Sequence, residues 1–267
     1  MKARTRLGVA GWPVAHSLSP AMQNAALEAV GLTDWRYQRL PIPPELFEET
    51  VLALPGAGFR GLNVTIPHKQ PALALATDPT PRALAIGAAN TLVFEPGGGI
   101  RADNTDAPGL LEALPLDPAG KTALVLGAGG SARAVVWALL AGGAREVRVW
   151  NRTSERAREL ARELGAAVVV RAEPADLLVN GTSVGLDPSR DTFEALPVDA
   201  DDLTSYECVV DLVYRDTETP LVQAARARRV RAVGGRELLV RQGALSFEQF
   251  TGKAAPIEIM QRAAGAR

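Results

Sequence analysis

The sequence predicts an α/β protein made of two α/β domains, and three observations support this fold class. Short apolar runs alternate with stretches of helical spacing along the chain, as in strands joined by helices. The 267 residues are enough for two ordinary domains, each with its own core. Residues 122–133 pass from an apolar strand through a glycine-rich turn into a helix, which is typical of a Rossmann-type parallel sheet.

The glycine-rich turn is the most informative stretch, and it reads Gly127-Ala128-Gly129-Gly130-Ser131-Ala132. Gly127 suits a tight turn, and Gly129 lets backbone N–H groups approach a phosphate. Ala132 is small enough for the helix to pack on the strand. The free N–H groups at the start of the helix favour an anion. The turn therefore predicts a site for the pyrophosphate of a dinucleotide, and a packed loop without a ligand is the alternative.

The composition is that of a folded globular protein, with 47% apolar and 22% charged residues. A net charge of −1 gives no field that would attract nucleic acid or an anionic membrane, so local groups must hold any acidic ligand. The single cysteine, Cys208, excludes an internal disulfide and lies in an apolar run that predicts a buried core position. The sequence shows neither a signal-like start nor an apolar run of about 18 residues, which favours a cytoplasmic location.

The first half begins with a predicted strand at Leu7–Ala10, followed by a glycine and a proline that end it. Ser19 is a suitable N-cap and Pro20 a suitable first residue for a helix over Ala21–Val30. Ser17 has no such structural role, and its hydroxyl is a candidate to bind a small anion, such as a carboxylate, together with Ser19. The next predicted elements are a strand at Trp35–Leu40, a helix at Pro44–Leu54 and a strand at Phe59–Val64.

Polar residues follow the strand that ends at Val64, where ligands lie in open α/β sheets. Thr65 and Lys69 are candidates for such a site, and Pro67 is predicted to begin a short helix that carries Lys69. Lysine can release a proton whereas arginine cannot, and most basic residues of this chain are arginines. Lys69 is therefore a candidate proton carrier, with a solvated helix residue as the alternative.

Two apolar arms, Ala89–Phe94 and Ile100–Asn104, are predicted to form a hairpin closed by a proline and three glycines. Asn90 lies near the start of the first arm, and Asp106 follows the second. Both are candidates for the same site, although Asp106 could instead cap the predicted helix Ala107–Leu114.

The second half has a regular strand–helix pattern, with a strand at Val147–Trp150 and a helix at Ser154–Leu164. Enzymes that take NAD place a carboxylate between these elements to bind the ribose hydroxyls. This chain has Arg152 there, with Arg156 one turn further on, and guanidinium groups bind phosphate through paired hydrogen bonds. The sequence therefore favours NADP over NAD, unless both arginines are ordinary surface residues.

The later elements complete this series. The predicted strands are Ala167–Val170, Leu177–Asn180, Cys208–Val213 and Arg231–Val233, and the predicted helices are Pro220–Arg229, Arg236–Phe250 and Pro256–Ala264. Polar residues mark two strand ends, at residues 180–185 and 211–214. We expect the last two helices to return to the first domain.

Taken together, these segments resemble the shikimate dehydrogenase family, the NADP-dependent enzymes that reduce 3-dehydroshikimate. The resemblance rests on Ser17-Leu18-Ser19-Pro20, residues 63–69, residues 87–92, Asn104-Thr105-Asp106, residues 127–130, Asn151-Arg152-Thr153, Thr219-Pro220-Leu221 and Gln242, in the order and spacing of the family. The chain departs from the family at Gln23, Ala102 and Leu238, where histidine, glycine and methionine are common.

The resemblance implies a role for each candidate residue. It makes Lys69 and Asp106 the catalytic pair. The implied substrate-binding residues are Ser17 and Ser19 for the carboxylate, Thr65, Asn90, Asp106 and Gln242 for the ring hydroxyls, and Tyr214 nearby. The implied cofactor-binding residues are Gly127, Ala128, Gly129, Gly130, Ser131 and Ala132 for the pyrophosphate, Asn151, Arg152, Thr153 and Arg156 for the 2′-phosphate, and Thr182, Val213 and Gly235 for the nicotinamide.

The implied organisation is a substrate-binding domain of residues 1–105 plus 237–267 and an NADP-binding Rossmann domain of residues 106–236, with the active site in the cleft where they meet. The implied partners are a small-molecule substrate and NADP, without metal, nucleic acid or membrane, and a homodimer is compatible with the resemblance. His16 and His68 border the motifs and are rival proton carriers near neutral pH. The alternative functions are a quinate/shikimate dehydrogenase that uses NAD and a non-catalytic relative that senses the metabolite.

Overall fold

The computed structural model describes residues 4–266 and divides the chain into two compact units. Unit 1 consists of Met1–Gly109 with Leu239–Arg267, and unit 2 of Leu110–Leu238. Residues 1–3 and 267, which the predicted substrate-binding domain includes, lie outside the described residues.

Unit 1 is built on a mixed six-stranded sheet. Its elements up to the boundary are β1 (Thr5–Gly11), α1 (Ser19–Ala29), β2 (Trp35–Pro41), α2 (Phe47–Ala53), β3 (Phe59–Val64), α3 (Lys69–Ala74), β4 (Asp78–Pro79), α4 (Pro81–Ile86), β5 (Thr91–Phe94), β6 (Ile100–Asp103) and α5 (Asp106–Ala113). The strand order is β2-β1-β3-β5-β6-β4. The pairs β2–β1, β1–β3 and β4–β6 are parallel, whereas β3–β5 and β5–β6 are antiparallel. The predicted hairpin is therefore present.

Unit 2 contains a six-stranded, fully parallel sheet. Its elements are β7 (Thr122–Leu126), α6 (Gly130–Ala141), β8 (Glu146–Trp150), α7 (Ser154–Leu164), β9 (Ala167–Val168), β10 (Leu177–Asn180), α8 (Thr192–Ala195), β11 (Cys208–Asp211), α9 (Pro220–Ala227) and β12 (Arg231–Val233). The order β12-β11-β10-β7-β8-β9 places β7, which precedes the glycine-rich turn, in the middle of the sheet. Leu124, Leu178 and Val209 lie in its core.

The last two helices of the chain are α10 (Gly235–Thr251) and α11 (Ile257–Ala264). Helix α11 packs against α1, and Gly61 of β3 lies beneath the buried ring of Phe250 in α10. The expected return of the terminal helices to the first part of the chain is confirmed, as is the α/β fold class. No helix within residues 4–266 is both long enough and apolar enough to cross a bilayer.

The start of helix α1 differs from the prediction. Leu18 occupies the N-cap position with φ −85° and ψ −8°, so Ser19 is the first helical residue and Pro20 the second. A capping serine typically has an extended conformation, from which its oxygen accepts a free N–H group two or three residues further along the chain. Here the N–H of Ser19 itself donates to Ser17 Oγ at 3.3 Å, so Ser17 has the structural contact that was expected of Ser19.

Asn24 connects helix α1 to strand β2. Its side-chain amide donates from Nδ2 to the carbonyl of Tyr37 at 2.9 Å, and its Oδ1 accepts the N–H of Tyr37 at 2.9 Å. The buried Tyr37 hydroxyl in turn donates to Asn63 Oδ1 at 2.8 Å. Helix α1, β2 and β3 are thus joined by side chains as well as by the sheet.

Candidate active site

The candidate site of unit 1 centres on an ion pair between Lys69 and Asp106. Lys69 Nζ donates to Asp106 Oδ2 at 2.6 Å, and the two side chains are only 10% and 19% exposed. A buried cation beside a carboxylate, at the carboxyl end of a strand, is a suitable arrangement for proton transfer to a bound ligand. The sequence placed both residues among the candidates, and the structure brings them into direct contact.

Asp106 is available for this contact because another residue caps its helix. The N–H groups of Asp106 and Ala107 donate to Asn104 Oδ1 at 3.1 and 3.3 Å, and Asn104 Nδ2 donates to the carbonyl of Ala88 at 2.9 Å. Asn104 therefore satisfies the first free N–H groups of α5. The alternative in which Asp106 merely caps the helix is wrong.

Lys69 is the first residue of α3, and the structure corrects the expected role of Pro67. Pro67 follows a cis peptide bond and lies in a turn before the helix. His68 is 1% exposed, stacks on Phe47 with ring centroids 4.2 Å apart, and contacts the carbonyl of Ile42 through Nε2 at 2.8 Å. Burial lowers the pKa of His68, although its bond to Ile42 opposes the shift. His68 thus anchors the start of α3.

Asn90 and Gln242 complete the polar cluster around Asp106. The Asn90 Oδ1 atom accepts the N–H of Thr105 at 2.7 Å, which fixes the orientation of the amide. Asn90 Nδ2 then faces Asp106 Oδ1 at 2.8 Å and Gln242 Oε1 at 3.2 Å. Gly109 of α5 allows α10 to come close here, because a Cβ at Gly109 would lie 2.7 Å from the Gln242 backbone nitrogen.

The remaining substrate-binding candidates occupy separate places. Ser17 and Ser19 are buried and lie together at the start of α1. Thr65 is half-buried, and its N–H donates to the carbonyl of Ala10 at 2.8 Å. Tyr214 belongs to unit 2 and follows β11. His16, next to Ser17, has its pKa lowered first by desolvation and then by the charge of Arg39.

Asp103 supports the site, although the sequence did not single it out as a candidate. Asp103 precedes the Asn104 cap and is 4% exposed, and its carboxylate accepts hydrogen bonds from Arg82 at 3.1 and 2.6 Å, from Thr80 at 2.8 Å and from Gln249 at 2.7 Å. Burial opposes ionisation of Asp103, but the bonds from Arg82 and Thr80 and the charge of Arg82 outweigh it and hold the pKa below its usual value. The feature of the sequence that could have indicated Asp103 is an acidic residue within a predicted apolar strand.

The glycine-rich turn of unit 2 fits a bound pyrophosphate. Gly127 has φ +112°, and a Cβ there would lie 3.0 Å from the Gly181 backbone, so a side chain is excluded. A Cβ at Gly129 would meet no heavy atom within 4 Å, which leaves space beside the chain. Gly129 also precedes α6 without a side-chain cap, and the N-terminus of a helix favours an anion.

Another small residue of this turn, Ala132, serves packing. Ala132 is fully buried, and a Cβ at Gly181 would lie 3.2 Å from its methyl group, which brings α6 close to the end of β10. Ala128, Gly130 and Ser131 are half-buried along the turn and the first turn of α6. These placements match what a dinucleotide-binding turn requires.

The residues expected at the 2′-phosphate follow β8. Arg152 and Arg156 are both exposed, and Asn151 Nδ2 closes the turn by donating to the carbonyl of Thr153 at 2.8 Å. Thr153 occupies the N-cap position of α7 without a side-chain bond. The two arginines are therefore at the surface, where their guanidinium groups can be reached by the 2′-phosphate of a cofactor.

A buried network supports the residues expected at the nicotinamide. Asp211 is fully buried and accepts hydrogen bonds from Thr219 Oγ1 at 2.6 Å, Asn180 Nδ2 at 2.9 Å and the N–H of Val213 at 3.0 Å. Asn180 Oδ1 in turn accepts the Thr182 hydroxyl at 2.7 Å. Burial raises the pKa of Asp211 to about 6 against these bonds.

Gly235 lies against the same segment. A Cβ at this position would be 2.6 Å from the carbonyl oxygens of both Leu212 and Val213, so only glycine allows this approach.

Within residues 4–266, no three or more His, Cys, Asp or Glu side chains form a group that could hold a metal ion.

Three parts of the chain match family models. Residues 9–92 match the shikimate dehydrogenase substrate binding domain, residues 112–180 match shikimate / quinate 5-dehydrogenase, and residues 235–264 match the shikimate 5′-dehydrogenase C-terminal domain. A shikimate dehydrogenase (NADP(+)) from Methylobacterium radiotolerans is 47% identical over 265 residues, which covers 94% of this chain and 92% of that relative.

Solved structures give the same result. Shikimate 5-dehydrogenase from Thermus thermophilus, in complex with NADP(H) and shikimate, is 42% identical with a TM-score of 0.86 and coverage of 98% of both chains. Shikimate dehydrogenase from Aquifex aeolicus is 33% identical with a TM-score of 0.88 and the same coverage.

Proposed function

Because the chain belongs to the shikimate dehydrogenase family, we propose that it catalyses the reversible, NADP-dependent reduction of 3-dehydroshikimate to shikimate. This oxidoreductase step lies in the shikimate pathway to chorismate and the aromatic amino acids. The observation that carries the proposal is the 2.6 Å pair of Lys69 and Asp106, with Asn90 bonded to the same carboxylate. A sensor that only binds the metabolite would not require a buried proton carrier.

Lys69 has the central role in the proposed chemistry. NADPH, when bound, supplies the hydride that reduces the ketone carbon. Negative charge then develops on the ketone oxygen, and Lys69 Nζ donates a proton to it; in the reverse direction Nζ accepts the proton of the hydroxyl. Asp106 Oδ2 holds Nζ in place at 2.6 Å. His68 is unsuited to this role because its ring is buried against Phe47 and bonded to Ile42.

The same cluster is proposed to orient the substrate ring. Asp106, Asn90 and Gln242 present carboxylate and amide groups that match ring hydroxyls, and Thr65 and Tyr214 are assigned to the same ligand. The hydroxyls of Ser17 and Ser19 are assigned to the substrate carboxylate. The support for this last assignment is that the two serines are buried together and that Ser19 is not used as a helix cap.

NADP is assigned to the predicted domain of residues 106–236, and the substrate to the predicted domain of residues 1–105 plus 237–267. The turn from Gly127 to Ala132 would hold the pyrophosphate through backbone N–H groups. Arg152 and Arg156, with Asn151 and Thr153, would hold the 2′-phosphate. Thr182, Val213 and Gly235 would line the nicotinamide pocket.

Two further proposals concern the location and the assembly of the protein. A cytoplasmic location suits an enzyme that draws on the NADPH of central metabolism. A homodimer is proposed as the assembly, and light scattering of the purified protein would test it.

The proposed activity is tested by following the absorbance of reduced nicotinamide. Purified protein is offered shikimate or quinate, each with NADP or NAD. We expect turnover with shikimate and NADP, and far less in the other three combinations. Faster turnover with quinate or NAD would contradict the assigned substrate or cofactor, and ligand binding without turnover would favour a metabolite sensor.

A further inference from the structure

Arg39 of β2 contacts the serine segment that precedes α1. Its Nε and Nη2 atoms both donate to the carbonyl oxygen of Ser17, at 3.0 and 2.6 Å. Arginine forks of this kind usually bind carboxylates or phosphates, but this fork holds a single backbone carbonyl. Arg39 as a whole is an exposed residue.

Ser17 is thereby held through three groups. Its N–H donates to the carbonyl of Val14 at 3.0 Å, its carbonyl accepts Arg39, and its Oγ accepts the N–H of Ser19 at 3.3 Å. The bonds of its N–H and carbonyl hold the backbone, and the bond from the Ser19 N–H to Oγ favours one of the three staggered positions of the hydroxyl. Among these contacts, the one from Arg39 is made by the side chain of a distant residue.

The charge near Ser17 and Ser19 matters because the group that they are proposed to bind is a carboxylate. The two serine hydroxyls are neutral, and hydrogen bonds to an anion are stronger when a positive charge lies nearby. His16 does not supply that charge near neutral pH, since desolvation and the neighbouring Arg39 both lower its pKa. An arginine side chain, in contrast, is a permanent positive charge in proteins.

We infer that Arg39 is a positioning and specificity residue that holds Ser17 in place and sets a fixed positive charge beside the serine pair that binds the substrate carboxylate. This inference rests on the proposed assignment of Ser17 and Ser19 to that carboxylate. It adds a residue from β2 to a recognition site that is otherwise made of uncharged groups.

Steady-state kinetics of Arg39→Gln, Arg39→Lys and Arg36→Gln test the inference. Arg36 is an exposed arginine of the same strand and provides the matched control. We expect Arg39→Gln to raise KM for shikimate about fivefold at low salt, as for loss of one partly exposed charge, and to change kcat and KM for NADP by less than about twofold. Arg39→Lys should regain most of the affinity, and Arg36→Gln should match the parent.

Two readouts separate this role from a merely structural one. Added salt should weaken shikimate binding in the parent and in Arg39→Lys, and much less in Arg39→Gln, because only the first two keep the charge. With the uncharged carboxamide of shikimic acid as substrate, the defect of Arg39→Gln should shrink to the smaller part that comes from holding Ser17 in place. A defect of Arg39→Gln that is as large with the carboxamide as with shikimate, or an equal fall of kcat, would overturn the inference.

Ser17→Ala separates failure of this inference from failure of the proposed function. If Ser17→Ala raises KM for shikimate while Arg39→Gln does not, the role of Arg39 is wrong and the carboxylate site stands. If Ser17→Ala leaves KM unchanged, the serine pair does not bind the carboxylate, and both assignments fall.

Discussion

At the scale of single residues, the chemistry depends on Lys69 being held by one carboxylate. The 2.6 Å contact with Asp106 and the low exposure of both side chains make this pair a local unit rather than a surface ion pair. Surface pairs contribute little because water competes for both charges. A buried pair fixes the position of the ammonium group, and position is what proton transfer requires.

The first prediction concerns Lys69→Ala. Loss of the proton carrier should lower kcat about a hundredfold or more, with a much smaller change in KM for shikimate. Initial rates over a range of shikimate concentrations give both constants. Lys253→Ala, at an exposed lysine, is the control. A near-normal kcat for Lys69→Ala would move the proton transfer to another group.

The second prediction concerns the choice of cofactor. Arg152→Ala should raise KM for NADP about tenfold, since a charge-assisted bond to the 2′-phosphate is lost, and should leave KM for NAD nearly unchanged. Arg158→Ala is a matched control, because Arg158 is exposed on α7 and pairs with Glu155 at 3.3 Å. Equal losses for the two cofactors would show that Arg152 does not recognise the 2′-phosphate.

At the scale of elements, the close approach of α10 to the sheet depends on residues without side chains. A Cβ at Gly61 of β3 would lie 2.3 Å from Cδ1 of the buried Phe250 ring. Phe250 is fully buried, so a shift of its ring would disturb neighbouring core side chains. Because α10 also carries Gln242, packing at Gly61 bears on the stability of the element that completes the polar cluster.

The third prediction follows from this contact. Gly61→Ala should lower the free energy of unfolding by about 1–3 kcal/mol, as overpacking of a core does. Gly56→Ala is the control, because a Cβ at Gly56 meets no atom within 4 Å. Urea denaturation followed by circular dichroism measures both changes. An unchanged midpoint for Gly61→Ala would mean that Phe250 and α10 can shift at little cost.

The elements themselves were largely predictable, because apolar runs and glycine or proline boundaries are local. The strands Phe59–Val64 and Leu177–Asn180 and the helix Ser154–Leu164 have the predicted bounds. Helix starts were harder, since Leu18 and Asn104 occupy positions expected of Ser19 and Asp106. Which polar residue caps a helix depends on the backbone conformation next to it, and residue type alone does not determine that.

For the candidate site, the sequence indicated which residues belong to it but not how they contact one another. The polar residues at strand ends were visible as candidates, but the bond between Asn90 and Gln242 joins residues far apart in sequence. The support from Asp103 and Arg82, and the fork of Arg39 on Ser17, also arise from tertiary contacts. No local pattern distinguishes such arginines from the many others of this chain.

At the scale of the whole molecule, the buried Asp211 links stability to pH. Its usual pKa is 3.8, and burial raises it to about 6 in the folded protein. Between these values the folded state binds more protons than the unfolded state, so the free energy of unfolding falls as pH rises. Asp211 therefore contributes most below about pH 4, and ionisation at higher pH costs up to about 3 kcal/mol.

The fourth prediction uses Asp211→Asn to isolate this effect. The amide keeps its oxygen for Asn180 and Val213, while the Thr219 hydroxyl can turn to accept from the new NH₂ group. Relative to the parent, the variant should gain stability as pH rises from about 4 to 7. Urea unfolding at several pH values measures the difference. A constant difference would show that Asp211 does not titrate in this range.

Asp103 does not interfere with that measurement. Its pKa is held below its usual value of 3.8, so its contribution is complete above that pH and is lost only as pH falls through the lower folded value. Asp103 and Asp211 thus act in separate pH ranges and with opposite signs.

The bond of Asn24 to Tyr37 has a consequence for how copies of the chain meet. Strand β2 lies at one end of its sheet, and an uncovered strand there invites a second chain to add a strand of its own. The outward N–H and carbonyl of Tyr37, midway along β2, are both already bonded to the Asn24 amide. An incoming strand would find no free pair at that point, so the side chain that ties α1 to the sheet also hinders strand addition there.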